Sequence, residues 1–229
     1  MSGIGAVFHR DGRPAGRDEI TRMARALAIY GPERQAISTA GSIAFAYTHF
    51  SNTPESRFEQ QPLGGGGGRF MMVFDGRLDN REELAEQLGI GAPDLALLSD
   101  SAIAMRCWEK WRLSAPERWI GEFAVIIWDK AERQLVAARD PFGLRTLSFH
   151  ASPTRLVLAS APKGVFAAGG VPRALDEQKI ADALVHLYSD VSRSFFKDVQ
   201  RLAPAHLLIA DGRKLEIRRY WSAENLPEV

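Results

Sequence analysis

The chain opens Met1-Ser2-Gly3-Ile4-Gly5, and Ser2 is the residue most suited by type and position to do chemistry. Removal of Met1 would leave Ser2 with a hydroxyl and a free α-amine on one residue. An α-amino group titrates near pH ~8, close enough to neutrality to act as a base toward that hydroxyl. The competing reading is a structural residue at the head of the first strand. Other reactive types are scattered. His9, His49, His150, His186 and His206 show no metal-ligand spacing, and Cys107 lies far from them in sequence. No metal site is expected. Cys107, in the helix-like run Ala104-Met105-Arg106-Cys107-Trp108, reads as a buried structural thiol.

These residues need elements to hold them. Ile4 to His9 reads as a buried strand ended by the turn Arg10-Asp11-Gly12-Arg13-Pro14. Arg17 to Tyr30 reads as an amphipathic helix, with Ile20, Met23, Ala24, Leu27 and Tyr30 at three- and four-residue steps, and Gly31-Pro32 stops it. Strands follow at 35–40 and 42–50. Residues 51–68 are irregular and end in Gly64–Gly68, a domain linker or a mobile hairpin tip; resumption of strand pattern at Arg69 favours the tip. A strand at 70–74 precedes helices at 80–88 and 100–111. Strands at 123–128, 134–139, 145–150 and 155–159 form an expected meander. A helix at 176–187 and strands at 206–210 and 215–221 complete the pattern. Trp108, Trp111, Trp119 and Trp128 fall in helix or strand periods and read as core. Arg139-Asp140 with Arg145 reads as a buried structural group. Strands and helices come in blocks with short connections, which predicts α+β with antiparallel sheets.

Bulk properties remove several function classes. A formal net charge of +1 gives no electrostatic case for nucleic acid or an anionic membrane surface. One cysteine excludes an intramolecular disulfide and suits a reducing cytoplasm. No apolar run approaches the ~20 residues of a membrane span, and no signal-peptide core follows the N-terminus. A cytoplasmic location is the expectation.

Several segments together resemble one family. Ser2-Gly3-Ile4-Gly5 is similar to the Cys-Gly-Ile start of class II glutamine amidotransferases. Gln60-Gln61-Pro62-Leu63 resembles their Gln-Gln-Pro-Leu segment. Phe74-Asp75-Gly76-Arg77-Leu78-Asp79-Asn80, followed by Arg81-Glu82-Glu83-Leu84, resembles their Asn-Gly-Glu-Ile-Tyr-Asn strand–loop–helix. Ser99-Asp100-Ser101, Gly121-Glu122-Phe123-Ala124 with Trp128-Asp129, Arg139-Asp140-Pro141-Phe142-Gly143-Leu144-Arg145, Ser160-Ala161-Pro162-Lys163-Gly164, Arg201-Leu202-Ala203-Pro204-Ala205-His206 and Arg219-Tyr220-Trp221 match in order. The resemblance covers nearly the whole of 1–229 and points to the amidotransferase domain of the asparagine synthetase family. It implies the four-layer α-β-β-α sandwich of N-terminal nucleophile hydrolases. It also implies an ATP-dependent synthetase domain, C-terminal or on a separate chain. This sequence ends eight residues after Trp221, without the family's Ser-Gly-Gly-x-Asp-Ser motif, and is expected to be a detached half.

Carried over residue by residue, the resemblance implies a degenerate glutamine site. The nucleophile position holds Ser2 instead of cysteine, whose thiolate is far more accessible near neutral pH. The oxyanion position is Asp75-Gly76 instead of Asn-Gly; ionised Asp75 accepts only, and its charge repels a developing oxyanion. The arginine that would clamp the glutamine carboxylate is matched by His49, which lacks a bidentate fork and is mostly neutral at pH 7. The family's acidic residue after the oxyanion glycine is Arg77. Asp100 is retained, either for an α-ammonium or as N-cap of a helix starting at Ser101.

The expected function is a vestigial amidotransferase-like domain, without glutaminase activity, of an ATP-dependent amide-forming ligase. Family members that use an internal amine in place of ammonia include β-lactam synthetases and lasso peptide macrolactam cyclases, and the cyclase is the favoured expectation. A glutamine-hydrolysing asparagine synthetase domain and a non-catalytic scaffold or peptide-binding subunit are the alternatives. No cofactor is expected in this chain; ATP and Mg²⁺ belong to the implied synthetase domain. The expected partners are that domain and a precursor peptide.

Overall fold

The computed structural model describes residues 1–187 and 190–225. Its strands are β1 (Gly3–His9), β2 (Arg34–Ala40), β3 (Ile43–His49), β4 (Leu63–Gly65), β5 (Phe70–Leu78), β6 (Gly121–Asp129), β7 (Gln134–Arg139), β8 (Ser148–Ala151), β9 (Arg155–Ala159), β10 (Arg193–Phe196), β11 (Val199–Arg201), β12 (His206–Ala210) and β13 (Leu215–Arg219). They form two sheets, ordered β10-β11-β8-β9-β1-β3-β2 and β13-β12-β7-β6-β5-β4. Neighbours pair antiparallel throughout.

The period of two along each strand sorts side chains into three apolar layers. Ile4, Ala6 and Phe8 of β1 meet Ile43, Phe45 and Tyr47 of β3, Val73 of β5 and Ala124, Ile126 and Trp128 of β6 between the sheets. The opposite face of β1 and β3 carries Val7, Ala44 and Ala46 and is covered by α1 (Arg17–Leu27). Small residues there let the helix approach. A Cβ on Gly5 would strike the Met23 sulfur, and one on Gly3 would lie 3.0 Å from the Leu27 Cβ. The outer face of the second sheet, with Phe70, Met72, Phe74, Phe123, Val125 and Ile127, is covered by α2 (Arg81–Leu88) and α4 (Asp100–Trp111). A short α3 (Ala92–Leu95) lies beside α2, α5 (Pro162–Ala167) beside α1, and α6 (Glu177–Leu184) beside β10. The result is the expected α-β-β-α sandwich. Among the described residues no helix is long and apolar enough to cross a membrane. Cys107 is buried in the α4 layer, and that burial pushes its thiol up to about 11.

The structure corrects several local expectations. The strand expected at 70–74 runs on to Leu78, because Asp75 and Gly76 pair with Ala124 and Phe123 of β6 despite poor intrinsic strand preference. Gly76 fits that close pairing, since a Cβ would lie 2.8 Å from the Phe123 Cα. The expected meander is split: β6 and β7 lie in one sheet, β8 and β9 in the other. Asp140 turns the chain between them by accepting N–H bonds from Phe142, Leu144 and Arg145. The glycine tract is a hairpin, not a linker: Gly64 and Gly65 pair with Met71 and Phe70, and Gly66–Gly68 make the turn. The first helix ends at Leu27 and finishes as a 3-10 turn over Ala28–Tyr30; the late helix ends at Leu184. Helices α3 and α5 and strands β10 and β11 are too short to leave a clear periodic signal.

Phe45 is fully buried between the sheets. Phe45→Ala should lower stability by about 3–5 kcal/mol, seen as a lower urea midpoint at unchanged slope.

Candidate functional site

The same alternation that fills the core delivers the polar residues. Ser2 shares the inner face with Ile4, Tyr47 and His49 follow Phe45 on theirs, and Asp75 follows Val73. They meet at one end of the inter-sheet layer, where Ser2, Tyr47, His49, Phe50, Glu59, Asp75 and Gly76 line one cavity. Its volume is about 20 Å³, room for roughly one water and far short of an amino acid.

The Ser2 backbone N–H donates to Asp75 Oδ1 at 2.8 Å. The Ser2 hydroxyl oxygen accepts the Phe50 N–H at 3.2 Å and stands 3.4 Å from the Tyr47 hydroxyl. Tyr47 is 2.8 Å from His49 Nδ1, and His49 Nε2 is 3.0 Å from Ser51 Oγ. Ser51 Oγ in turn donates to Glu33 at 2.7 Å. Burial and the charge of Arg34 hold the His49 imidazole below its ordinary value, so it is neutral at pH 7. Burial pushes the Tyr47 phenol up, so it keeps its proton. Because Ser51 gives its proton to Glu33, its oxygen accepts from His49 Nε2, which leaves Nδ1 to accept from Tyr47. The hydroxyls and imidazole thus form one directed chain from the cavity to the surface.

Asp75 is almost wholly buried. Burial raises its carboxyl from 3.8 to about 6, against the opposing pull of Arg145 and the Ser2 N–H. The Arg145 guanidinium lies 3.6 Å from Asp75 Oδ1 and donates to Glu122 at 2.7 Å. Asp75 Oδ2 has no hydrogen-bond partner. Burial also raises the Glu59 carboxyl, although Ser101, Gln61 and Ser99 bond to it. Gln61 sets the position of Asp75: its side-chain amide donates to the Phe74 carbonyl at 2.9 Å and accepts the Phe74 N–H at 2.6 Å.

Of the residues singled out by sequence, Ser2, His49, Asp75 and Gly76 come together. Two do not line this cavity. Arg77 is half-exposed and pairs with Asp79 at 2.7 Å. Asp100 is bound by Arg81 and by the Leu78 N–H at 3.3 Å. Nor is Asp100 the N-cap; Ser99 fills that role, accepting from the Ala102 N–H. His49 is the last residue of β3, and both its ring nitrogens are hydrogen-bonded within the protein. Arg145, expected only in a structural group with Arg139 and Asp140, reaches the site through Asp75. Tyr47, Glu59, Gln61 and Glu122 were not singled out. Tyr47 had a signal, the two-residue step from Phe45 to His49. Glu59 and Glu122 had none, because their partners are distant in sequence.

With Met1 in place the Ser2 nitrogen is an amide and no base, and Asp75, mainly an acceptor at pH 7, gives no hydrogen to an oxyanion. A family model described as "Glutamine amidotransferase domain" matches residues 1–221. The chain belongs to this family. Amidase chyE of Penicillium rubens is 27% identical over 212 residues, which cover 90% of this amidotransferase chain and 30% of the relative. Asparagine synthetase (glutamine-hydrolyzing) 3 of Bacillus subtilis is 23% identical over 160 residues, 69% of this chain and 26% of the relative. The chain therefore spans less than a third of these relatives. Among solved structures, glutamine phosphoribosylpyrophosphate amidotransferase from B. subtilis has a TM-score of 0.67 at 15% identity, over 96% of this chain and 49% of its own. That likeness is one of fold.

With Met1 in place, folding favours protonated Asp75, so its contribution is complete below pH ~4 and is lost as pH rises through about 6. The loss should be on the order of 3 kcal/mol, and Asp75→Asn should remove it. Urea unfolding from pH 4 to 7 measures both.

Proposed function

We propose that this amidotransferase domain does not hydrolyse glutamine and serves an ATP-dependent, amide-forming ligase of the asparagine synthetase kind. The observation that carries this reading is the Asp75 carboxylate, buried beside Ser2 where the family resemblance places an amide donor. Loss of one such donor lowers the rate by about 10²–10³. The hydroxyl nucleophile, the water-sized cavity and the occupied ring nitrogens of His49 point the same way.

A ligase that joins two groups of one substrate needs no ammonia, so loss of glutamine chemistry leaves its reaction intact. Within that class we propose a lasso peptide macrolactam cyclase. It would transfer AMP from ATP to a side-chain carboxylate of a precursor peptide with release of pyrophosphate, and the peptide's own N-terminal amine would then displace AMP, losing a proton, to close the ring. ATP and Mg²⁺ would act in a synthetase domain outside this sequence, and this domain would support that domain and the peptide. The asparagine synthetases among the relatives, each far longer than the matched region, support the ligase class.

Incubated with glutamine, the protein should release no ammonia above the blank, and Ser2→Cys alone should not restore release because Asp75 remains. Steady ammonia production by the unaltered protein would overturn the reading. Ring closure is read as loss of one water from a precursor peptide treated with the full-length protein, ATP and Mg²⁺.

A further inference from the structure

We propose that Asp75 is the counter-ion of the mature N-terminus. Once Met1 is removed, the Ser2 α-ammonium pairs with the Asp75 carboxylate in the closed cavity, and the amine is held protonated and unable to serve as a base. This deepens the non-hydrolysing reading and rests on it for its consequence.

The geometry is nearly complete before excision. Ser2 N already lies 2.8 Å from Asp75 Oδ1. As a peptide nitrogen it brings one hydrogen to a carboxylate with two oxygens, and Oδ2 is buried without a partner. An orphaned buried acceptor is costly. No neighbour fills the gap. Arg145 Nη1 stands 3.6 Å from Oδ1, beyond hydrogen-bond range, while its Nη2 donates to Glu122 and its buried Nε has no partner either. An α-ammonium brings three hydrogens and a full charge to the same place, turning a hydrogen bond to one charged group into an ion pair.

The surroundings favour the cation. Asp75, Glu59 and Glu122 supply carboxyl groups; Arg145 and, beyond His49, Arg34 supply positive charge; Tyr47 and His49 are neutral. To act as a base the amine must use its lone pair to take the Ser2 hydroxyl proton. In the ammonium that pair already holds a proton, and Asp75 keeps it there. Asparagine at position 75 would withdraw the counter-charge and free the lone pair near neutral pH.

Intact mass of the purified protein reports whether Met1 is gone. Trace acetylation of the Ser2 amine with acetic anhydride, followed by mass spectrometry across pH, then reports its titration. The midpoint should lie at least one unit above the ordinary ~8, a tenfold smaller free-amine fraction near neutrality, and Asp75→Asn should return it to ~8 or below. If that variant fails to fold, the unaltered protein suffices: its stability should fall less between pH 4 and 6 than that of a form with an uncleaved N-terminal extension, because the buried Glu59 and Asp100 carboxyls, also raised, weigh on both forms alike and only the Asp75 share differs. Retained Met1, or an unaltered midpoint at or below ~8, overturns the pairing. Ammonia release from glutamine would instead overturn the preceding section and leave the pairing intact.

Discussion

A carboxylate in a dry layer between two sheets is the constraint around which this end of the molecule is arranged. Asp75 sits there because β5 continues its pairing with β6 through positions 75–78, and the pleat that turns Met71 and Val73 inward turns Asp75 inward too. The same inter-sheet packing buries Phe45 and Tyr47. The protein answers with a backbone N–H from Ser2 and a guanidinium from Arg145. Arg145 is available only because Asp140 folds the 140–145 loop back by accepting its amides, while Arg139 bonds to the carbonyls of Gly143, Arg145 and Leu202. A segment distant in sequence is thus recruited to compensate one buried charge.

The rest of the pocket is filled by hydrogen bonds among its own residues. Tyr47, His49, Ser51 and Glu33 satisfy one another in a fixed direction, and Glu59 takes the hydroxyls of Ser99 and Ser101. Apart from Asp75 Oδ2 and Arg145 Nε, which have no hydrogen-bond partner among the described residues, the polar groups of this pocket are engaged with one another. A ligand would have to break these bonds in a low-dielectric layer where they are strong.

Most of the architecture was legible in the chain. Continuous apolar runs at Ile4–Phe8, Ile43–Tyr47 and Phe123–Trp128 mark strands buried on both faces, and Ile20, Met23, Ala24 and Leu27 mark a helix face. Those patterns report burial directly. The extension of β5 through Asp75-Gly76 was not legible, because pairing with β6 overrides local preference. The separation of β7 from β8 was hidden for a similar reason, since it depends on how one carboxylate gathers three amides. At the site, Ser2, His49 and Asp75 were recognisable by position, whereas the engagement of Arg77 with Asp79 and of Asp100 with Arg81 was not.

Sequence by itself determined the main strands and helix faces and the absence of a cysteine at position 2, because these follow from residue type and periodicity; the four layers and the site positions Ser2, His49, Asp75 and Gly76 came from the family resemblance. Only the tertiary structure decided what those residues do to one another. Whether Asp75 faces water or a dry sheet interface, whether Arg145 reaches it, and whether His49 is open or bonded on both nitrogens are properties of distances across chain segments. Electrostatic energies depend on those distances and on the local dielectric, and neither is written in the order of residues.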